Sequence, residues 1–312
     1  MINRRHIRIK VMQSVYALLQ SGNQDLKSEE KFLTNNINKL QELYILMLNL
    51  LVEIKNDATR IIKVSKKKHL ATSTELNPSD KFIKNRIFIE IENNQSYLQF
   101  ISDHKLKLWK ENEEYVHLLR KAIEESDLYI DYMHSKADSL KEDAEFIEAI
   151  YSKIIATNDK LYSFLEDFHI GWVDDIPVVN TLLLKTVTEL GKSKIFKVDN
   201  LFKDADDEAF VLDLFRKVVL NHQNFDKDID LKTPNWDSDR IADLDLIIIK
   251  MALTEFMYFP SIPTKVSINE YLEIAKDYST DKSSVFINGV LDKLLKDFVT
   301  QNKIAKIGRG LL

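Results

Sequence analysis

The chain has 312 residues, and its 44 lysines and arginines against 49 aspartates and glutamates give a formal net charge of −5 at pH 7. It has no cysteine, which excludes disulfides, thiolate metal sites and a cysteine nucleophile. No apolar run is long enough to span a membrane, and charged residues interrupt the N-terminal segment, so neither a membrane anchor nor a signal peptide is predicted. We therefore expect a cytoplasmic protein whose net acidity restricts any nucleic-acid site to a local surface.

Residues 4–20 predict a first helix with one apolar stripe and one basic flank. The stripe recurs at steps of four and three residues and is expected to face a core: Ile7, Val11, Val15 and Leu18. Beside it lies a flank that is expected at the surface: Arg5, Arg8, Met12 and Tyr16. The first acidic residue in the chain is Asp25, so the arginines have no compensating acid nearby in the sequence.

This basic helix is the strongest functional signal that the residues carry by themselves. Positive charge in the first turn is slightly unfavourable against the helix dipole, so Arg4, Arg5 and Arg8 suit an anionic partner. Tyr16, on the same flank, adds a ring on which an unpaired base can stack. The pattern predicts RNA or DNA binding here, with a solvated helix end as the open alternative.

Helical patterns continue through the middle of the chain. The first runs from residue 28 to about 65 and ends in a polar loop with three lysines at 66–68. Further helices are predicted at about 80–108, 112–134, 137–168, 178–190 and 206–223. Residues 226–236 are typical of a polar linker. These helical patterns, together with few glycines and prolines, make the predicted fold class all-α.

Three more helices are predicted after this linker. Ser267 and Glu270 have the spacing of a capping box, which predicts that the second of these helices begins near Ser267. Gly289 falls inside the last helix, where glycine costs about 1 kcal/mol relative to alanine. We expect the close packing of a neighbouring helix to offset this cost, and buried hydrogen bonds for Asn269 and Asn288.

Motifs for catalysis and metal binding are missing from the sequence. The seven histidines form no i,i+4 pair and no HExxH motif, and no GxSxG occurs. Gly191, Lys192 and Ser193 match the end of a phosphate-binding loop, but Thr186 stands where that motif needs a glycine. A helix-ending glycine is the simpler interpretation of Gly191. The sequence therefore predicts a protein that is not an enzyme and has neither cofactor nor metal.

Four stretches together resemble one known family. The most specific are "RIADLDLIIIKMALTEF" and "IPTKVSINEYLEIAKDYSTDKSSVFINGVLDKLL" (262–295). The other two are "RRHIRIKVMQSVYALLQSG" near the start and "DDEAFVLDLFRKVVLNHQNFDKDI" (206–229). They resemble the bacterial transcription antitermination factors of the NusB family. This resemblance implies two helical-bundle subdomains, here 1–230 with a helical insertion at about 26–200, and 235–312.

The resemblance also implies a function and a set of site residues. A NusB-like protein binds the boxA element of ribosomal RNA leader transcripts together with NusE, a small-subunit ribosomal protein, and joins the antitermination complex on RNA polymerase. The arginines Arg4, Arg5 and Arg8 would contact phosphates and base edges. Tyr16 and Phe286 would stack or pack against bases.

Two departures from the family pattern leave alternatives open. The chain is about twice the usual length, and Val285 stands where relatives often carry a basic residue before the phenylalanine. A helical scaffold that binds NusE but has lost specific RNA binding is therefore the main alternative. An RNA methyltransferase with a NusB-like N-terminal domain is disfavoured, because no βαβ cofactor domain and no cysteine are present.

Overall fold

A computed structural model describes residues 2–22, 25–65, 79–198, 201–233 and 242–311, and these ranges contain helices and turns without a strand. The predicted all-α class is confirmed. The lysines at 66–68 lie outside the described residues. The helices are α1 (Arg4–Ser21), α2 (Leu26–Ser65), α3 (Arg86–Glu92), α4 (Gln95–Asp103), α5 (Leu108–Glu111), α6 (Glu113–Glu124), α7 (Asp127–His134), α8 (Leu140–Ile150), α9 (Asp159–Phe168), α10 (Ile176–Leu190), α11 (Ala205–Asn221), α12 (Asp226–Lys232), α13 (Asp243–Tyr258), α14 (Thr264–Tyr278) and α15 (Ser283–Thr300).

Contacts within the chain group these helices into two compact units. The central unit is Asn38–Leu201, and the terminal unit combines Ile2–Ile37 with Phe202–Leu312. Residues 26–37, which the sequence assigned to an insertion, thus belong to the terminal unit. The predicted division into subdomains 1–230 and 235–312 stays a prediction.

Three predicted helices of the central unit, 80–108, 112–134 and 137–168, are each divided into shorter helices. Polar side chains cap new helices inside the predicted ones: Asn94, Ser126 and Asn158 accept hydrogen bonds from the backbone N–H groups of Tyr97, Tyr129 and Leu161. Asparagine and serine are favoured caps because their short side chains satisfy N–H groups that a helix start leaves free. Periodicity alone hides these breaks, since the apolar faces continue across them.

The terminal unit has α1 at its centre, packed against α11 and α13. The predicted stripe of α1 is buried, as are His6, Arg8 and Met12 on neighbouring faces. The predicted surface position of Met12 is therefore wrong. A helix enclosed by neighbours on several sides buries more than one stripe, and this enclosure is set by contacts with segments about 200 residues away.

Two local predictions at the C-terminal end also need correction. Residues 226–232 form α12 instead of a linker, because Ile229 is buried and Lys232 pairs with Asp297 of α15. Helix α14 begins at Thr264, one turn before the predicted capping box. The hydroxyl of Ser267 is buried inside the helix and donates to Glu255 at 2.7 Å, so it does not cap the helix.

The last residues of the chain fasten the turn between α13 and α14. Lys306 donates to the carbonyl oxygens of Glu255 and Phe259 at 3.0 and 2.9 Å, and the N–H of Ile307 donates to Pro260 at 3.1 Å. Burial lowers the pKa of Lys306 to about 8. Gly310 lies so close to this turn that a Cβ atom on it would be 1.9 Å from the carbonyl oxygen of Pro260.

Replacing Gly310 with alanine is expected to lower the free energy of unfolding by about 1–3 kcal/mol, because the backbone of the tail must move away from Pro260. The measurement is urea unfolding followed by circular dichroism. Arg309→Ala is the control, since Arg309 is exposed and its truncation should change stability by less than about 0.5 kcal/mol. Equal stability of the two variants would contradict the close approach of the tail.

Candidate functional site

The guanidinium of Arg8 is buried in an ion pair with Glu255 of α13. Arg8 is 2% exposed, and its Nε and Nη2 donate to the two carboxylate oxygens of Glu255 at 2.6 and 3.0 Å. Ser267 and Tyr271 of α14 also donate to this carboxylate, at 2.7 and 2.8 Å. Each oxygen of Glu255 thus accepts two hydrogen bonds, which is what a buried carboxylate needs to offset its desolvation.

The electrostatics of this network favour the charged pair. Burial by itself would lower the pKa of Arg8, but the charge and hydrogen bonds of Glu255 outweigh that effect and raise the pKa above its ordinary value. Burial, followed by the charge of Glu255, raises the pKa of Tyr271 well above 10. Arg8 is therefore always a cation, and Tyr271 stays a neutral hydrogen-bond donor at physiological pH.

Arg4 and Arg5 lie at the rim of the same network and are partly exposed. The Nε of Arg4 donates to Asp207 of α11 at 2.6 Å, and Arg5 donates from Nε and Nη2 to Glu270 of α14, both at 3.0 Å. Their side chains are 38% and 40% exposed. The hydrogen bond with Glu270 is the main cause that raises the pKa of Arg5.

Shared contacts bring the three arginines together. Glu270 pairs with Arg5 and also lies 3.7 Å from Nη1 of Arg8. The guanidinium carbons of Arg4 and Arg8 lie 5.0 and 5.4 Å from the ring centre of Phe210. We call Arg4, Arg5 and Arg8, with these partners, the arginine cluster. In this arrangement Arg8 is buried beneath the other two arginines, and Arg4 and Arg5 present N–H groups towards solvent.

Tyr16 lies farther along α1, about 16 Å from Arg5 at a rise of 1.5 Å per residue. Its side chain is 40% exposed, and no hydrogen bond joins it to the arginine cluster among the described residues. Gln20 is one helical turn beyond Tyr16, on the same side of α1, and donates to Asp243 at the start of α13 at 2.7 Å. Tyr16 is thus near the end of α1 that contacts the first turn of α13.

Phe286 is half-buried in the first turn of α15, beside Val285, which is 75% exposed. Ser283, three residues earlier, donates at 2.8 Å to Asp245 of α13, and Ser279 donates to the same carboxylate at 2.6 Å. The first turn of α13 therefore contacts both the end of α1 and the start of α15. The two contacts use different residues of that turn, Asp243 and Asp245, and do not by themselves join Tyr16 to Phe286.

The sequence missed the acidic partners of the arginines. The expected surface position of Arg8 is wrong, because Glu255 holds its side chain under the surface. Asp207, Glu255 and Glu270 are 203, 247 and 265 residues from their arginines, so no local pattern links them. One signal was available: Glu255 interrupts the apolar run "LIIIKMALTEFMYF", and an acid in a buried helix needs a cationic partner.

No group of His, Asp and Glu side chains within the described ranges has the arrangement of a metal site. No described helix is long and apolar enough to cross a membrane. Gly191, which the sequence predicted to end a helix, is the C-terminal cap of α10.

Comparisons with known proteins bear on the same region. The model of the NusB family matches residues 192–296, which include Asp207, Glu255, Glu270 and Phe286 of the site. A protein of Salinibacter ruber, named "Transcription antitermination protein NusB", is 40% identical over 112 residues, which are 36% of this chain and 70% of that protein. The chain belongs to the NusB family. Family membership agrees with the resemblance seen in the sequence.

Other family members align over shorter parts of their length. The protein of the same name from Chloroherpeton thalassium is 37% identical over 130 residues, which are 40% of this chain and 62% of that relative. The one from Natranaerobius thermophilus is 47% identical over 74 residues, 24% of this chain and 53% of the relative. The chain therefore covers less than two thirds of these two relatives. No solved structure matches the chain.

The NusB family model leaves out most of the central unit and all of α1. The structure nevertheless places α1 in the terminal unit, where its arginines pair with acids from the matched region. In this NusB chain the basic helix and the matched segment thus form one packed body, although they are separated in the sequence by the central unit.

Proposed function

We propose that this protein is an RNA-binding transcription antitermination factor. It would act on boxA-type single-stranded RNA of ribosomal RNA leader transcripts, together with NusE and the antitermination complex on RNA polymerase, in the cytoplasm. The observation that carries the proposal is the 40% identity to 70% of a relative named as an antitermination protein. The proposed activity is binding, without catalysis or a cofactor.

The geometry of the terminal unit supports a division of roles among the predicted site residues. Arg4 and Arg5 are anchored by acids and still half-exposed, so their remaining N–H groups can reach phosphate oxygens. Tyr16 and Phe286 would supply stacking surfaces near the start of α13. Arg8 would hold α1 against α13 through its ion pair with Glu255. Its guanidinium is buried, so RNA cannot contact it.

The scaffold alternative also has structural support. Each arginine of the cluster already has a carboxylate partner, and these carboxylates reduce the positive potential that attracts RNA. Val285 is an exposed apolar side chain at the position where the family resemblance led us to expect a cation. In a protein that binds NusE without recognising RNA, the role of Arg4 and Arg5 would be to form these ion pairs.

Fluorescence anisotropy can distinguish the two candidates. A labelled boxA-like RNA and a scrambled RNA are titrated with the full chain, with and without NusE, across a salt series. We expect preference for the boxA-like RNA, strengthened by NusE, and affinity that falls with salt by a log–log slope of about −0.7 for each phosphate neutralised. Equal affinity for both RNAs in the presence of bound NusE would reject the proposal and favour the scaffold.

A further inference from the structure

Gly289 lies in the middle of α15, and nothing within the described residues explains why a glycine stands there. It is exposed, and a Cβ atom built on it meets no atom within 4 Å. Asn288 and Asn269, which were expected to be buried near it, are exposed as well. The predicted close packing of a neighbouring helix against Gly289 is therefore wrong.

An exposed glycine in a helix lowers the stability of the protein, and no closer packing inside the molecule compensates for the loss. Alanine at this position would fit the helical backbone without a clash, and it would remove the entropic cost of about 1 kcal/mol that glycine carries. A glycine that no internal contact requires is explained by an external one. Its bare backbone allows another molecule to approach α15 more closely than any side chain would permit.

The charges around Gly289 indicate what that molecule is. At 100° per residue, Lys282, Lys293 and Lys296 lie within about 40° of Gly289 on the helix surface. All three are exposed, and none has an ion-pair partner in the part of the chain that the structure describes. Asp292 is the one exposed acid on this face of α15, so the face is positive overall.

Three lysines along about 21 Å of helix, with an uncharged centre, suit a polyanionic strand better than a protein surface. The centre consists of Gly289 and the exposed Val285 one turn before it. Phe286 is on the adjacent side of the same helix and was assigned to base stacking under the proposed function. The lysine face is thus continuous with the proposed RNA site.

We infer that the outer face of α15 is a track for single-stranded RNA, on which the strand passes directly over Gly289. The lysines neutralise phosphates on both sides of that point. This inference rests on the proposed function and extends it, since it adds a binding surface beyond the arginine cluster and the two aromatic residues. It also makes the exposed glycine a specific requirement for RNA binding.

The test compares Gly289→Ala with the unchanged protein. The variant should melt about 2–4 °C higher, because alanine stabilises α15. It should bind the labelled boxA-like RNA about 5- to 10-fold more weakly, because the added Cβ holds the strand away from the helix. A second variant, Lys293→Gln with Lys296→Gln, should reduce the slope of the salt dependence by about 0.7 for each phosphate that the protein no longer neutralises.

Asn35→Ala is the matched control, since Asn35 is an exposed position inside α2 of the same unit. It should raise the melting temperature through helix propensity and leave RNA affinity unchanged. The inference is overturned if Gly289→Ala binds RNA as tightly as the unchanged protein. It is also overturned if that variant loses only NusE affinity in calorimetry, which would make this face a protein-docking surface.

The outcomes separate this inference from the proposed function. If the unchanged protein binds RNA without preferring boxA, the proposed function fails, and the comparison with Gly289→Ala still decides whether α15 carries the strand. If boxA preference is present and Gly289→Ala does not alter it, only the track on α15 is rejected. If the unchanged protein binds no RNA at all, both are rejected.

Discussion

Replacing Glu255 with glutamine is expected to lower the free energy of unfolding of the terminal unit by about 3–5 kcal/mol. Glutamine keeps the size of the side chain but removes the negative charge that the buried guanidinium of Arg8 requires. Arg8 then loses its bidentate partner and keeps the more distant, partly exposed carboxylate of Glu270, 3.7 Å away, in a site that solvent does not reach. The hydroxyls of Ser267 and Tyr271 also lose an acceptor, because an amide has one oxygen instead of two.

Urea unfolding, followed by circular dichroism, measures this effect. Glu270→Gln is the matched control, since Glu270 also neighbours Arg8 but is partly exposed, and its loss should cost no more than about 1 kcal/mol. The double variant Arg8→Met with Glu255→Gln should be more stable than the sum of the single changes predicts, because it removes the unpaired charge. Equal losses in Glu255→Gln and Glu270→Gln would contradict the buried network.

Replacing Arg4 and Arg5 together with glutamine is expected to weaken binding of the boxA-like RNA by roughly 10- to 100-fold at low salt. Both guanidinium groups are half-exposed and hold N–H groups that their acidic partners do not use. Removing them also leaves Asp207 and Glu270 as negative charges beside the proposed path of the strand. The slope of log affinity against log salt should therefore fall by about 0.7 for each of the two arginines.

This result depends on a control for net charge. Lys141→Gln with Lys160→Gln removes the same charge from exposed positions of the central unit. If the double lysine variant reduces RNA affinity as much as the double arginine variant, the effect comes from the net charge of the protein. The assignment of the RNA site to Arg4 and Arg5 is then wrong. Circular dichroism should show that the arginine variant is folded, because partly exposed ion pairs contribute at most about 1 kcal/mol each.

The amino-acid sequence by itself determined the fold class, several helix positions and the apolar stripe of α1. These features depend on local periodicity, which the sequence displays directly: Ile7, Val11 and Val15 are buried as their spacing predicts. Breaks between helices were less visible, because a cap such as Asn94 is one polar residue among many.

Only the tertiary structure decided which basic residues can meet a partner. Arg5 and Arg8 have the same chemistry and neighbouring positions on one helix, yet Glu255, 247 residues from Arg8, buries one of them and leaves the other half-exposed. Gly289 is the opposite case. The stability cost of a glycine inside a helix suggested that a neighbouring helix packs against it, but the structure places it at the surface. Periodicity records the shape of a single helix, whereas exposure and charge pairing are set by the helices that pack around it.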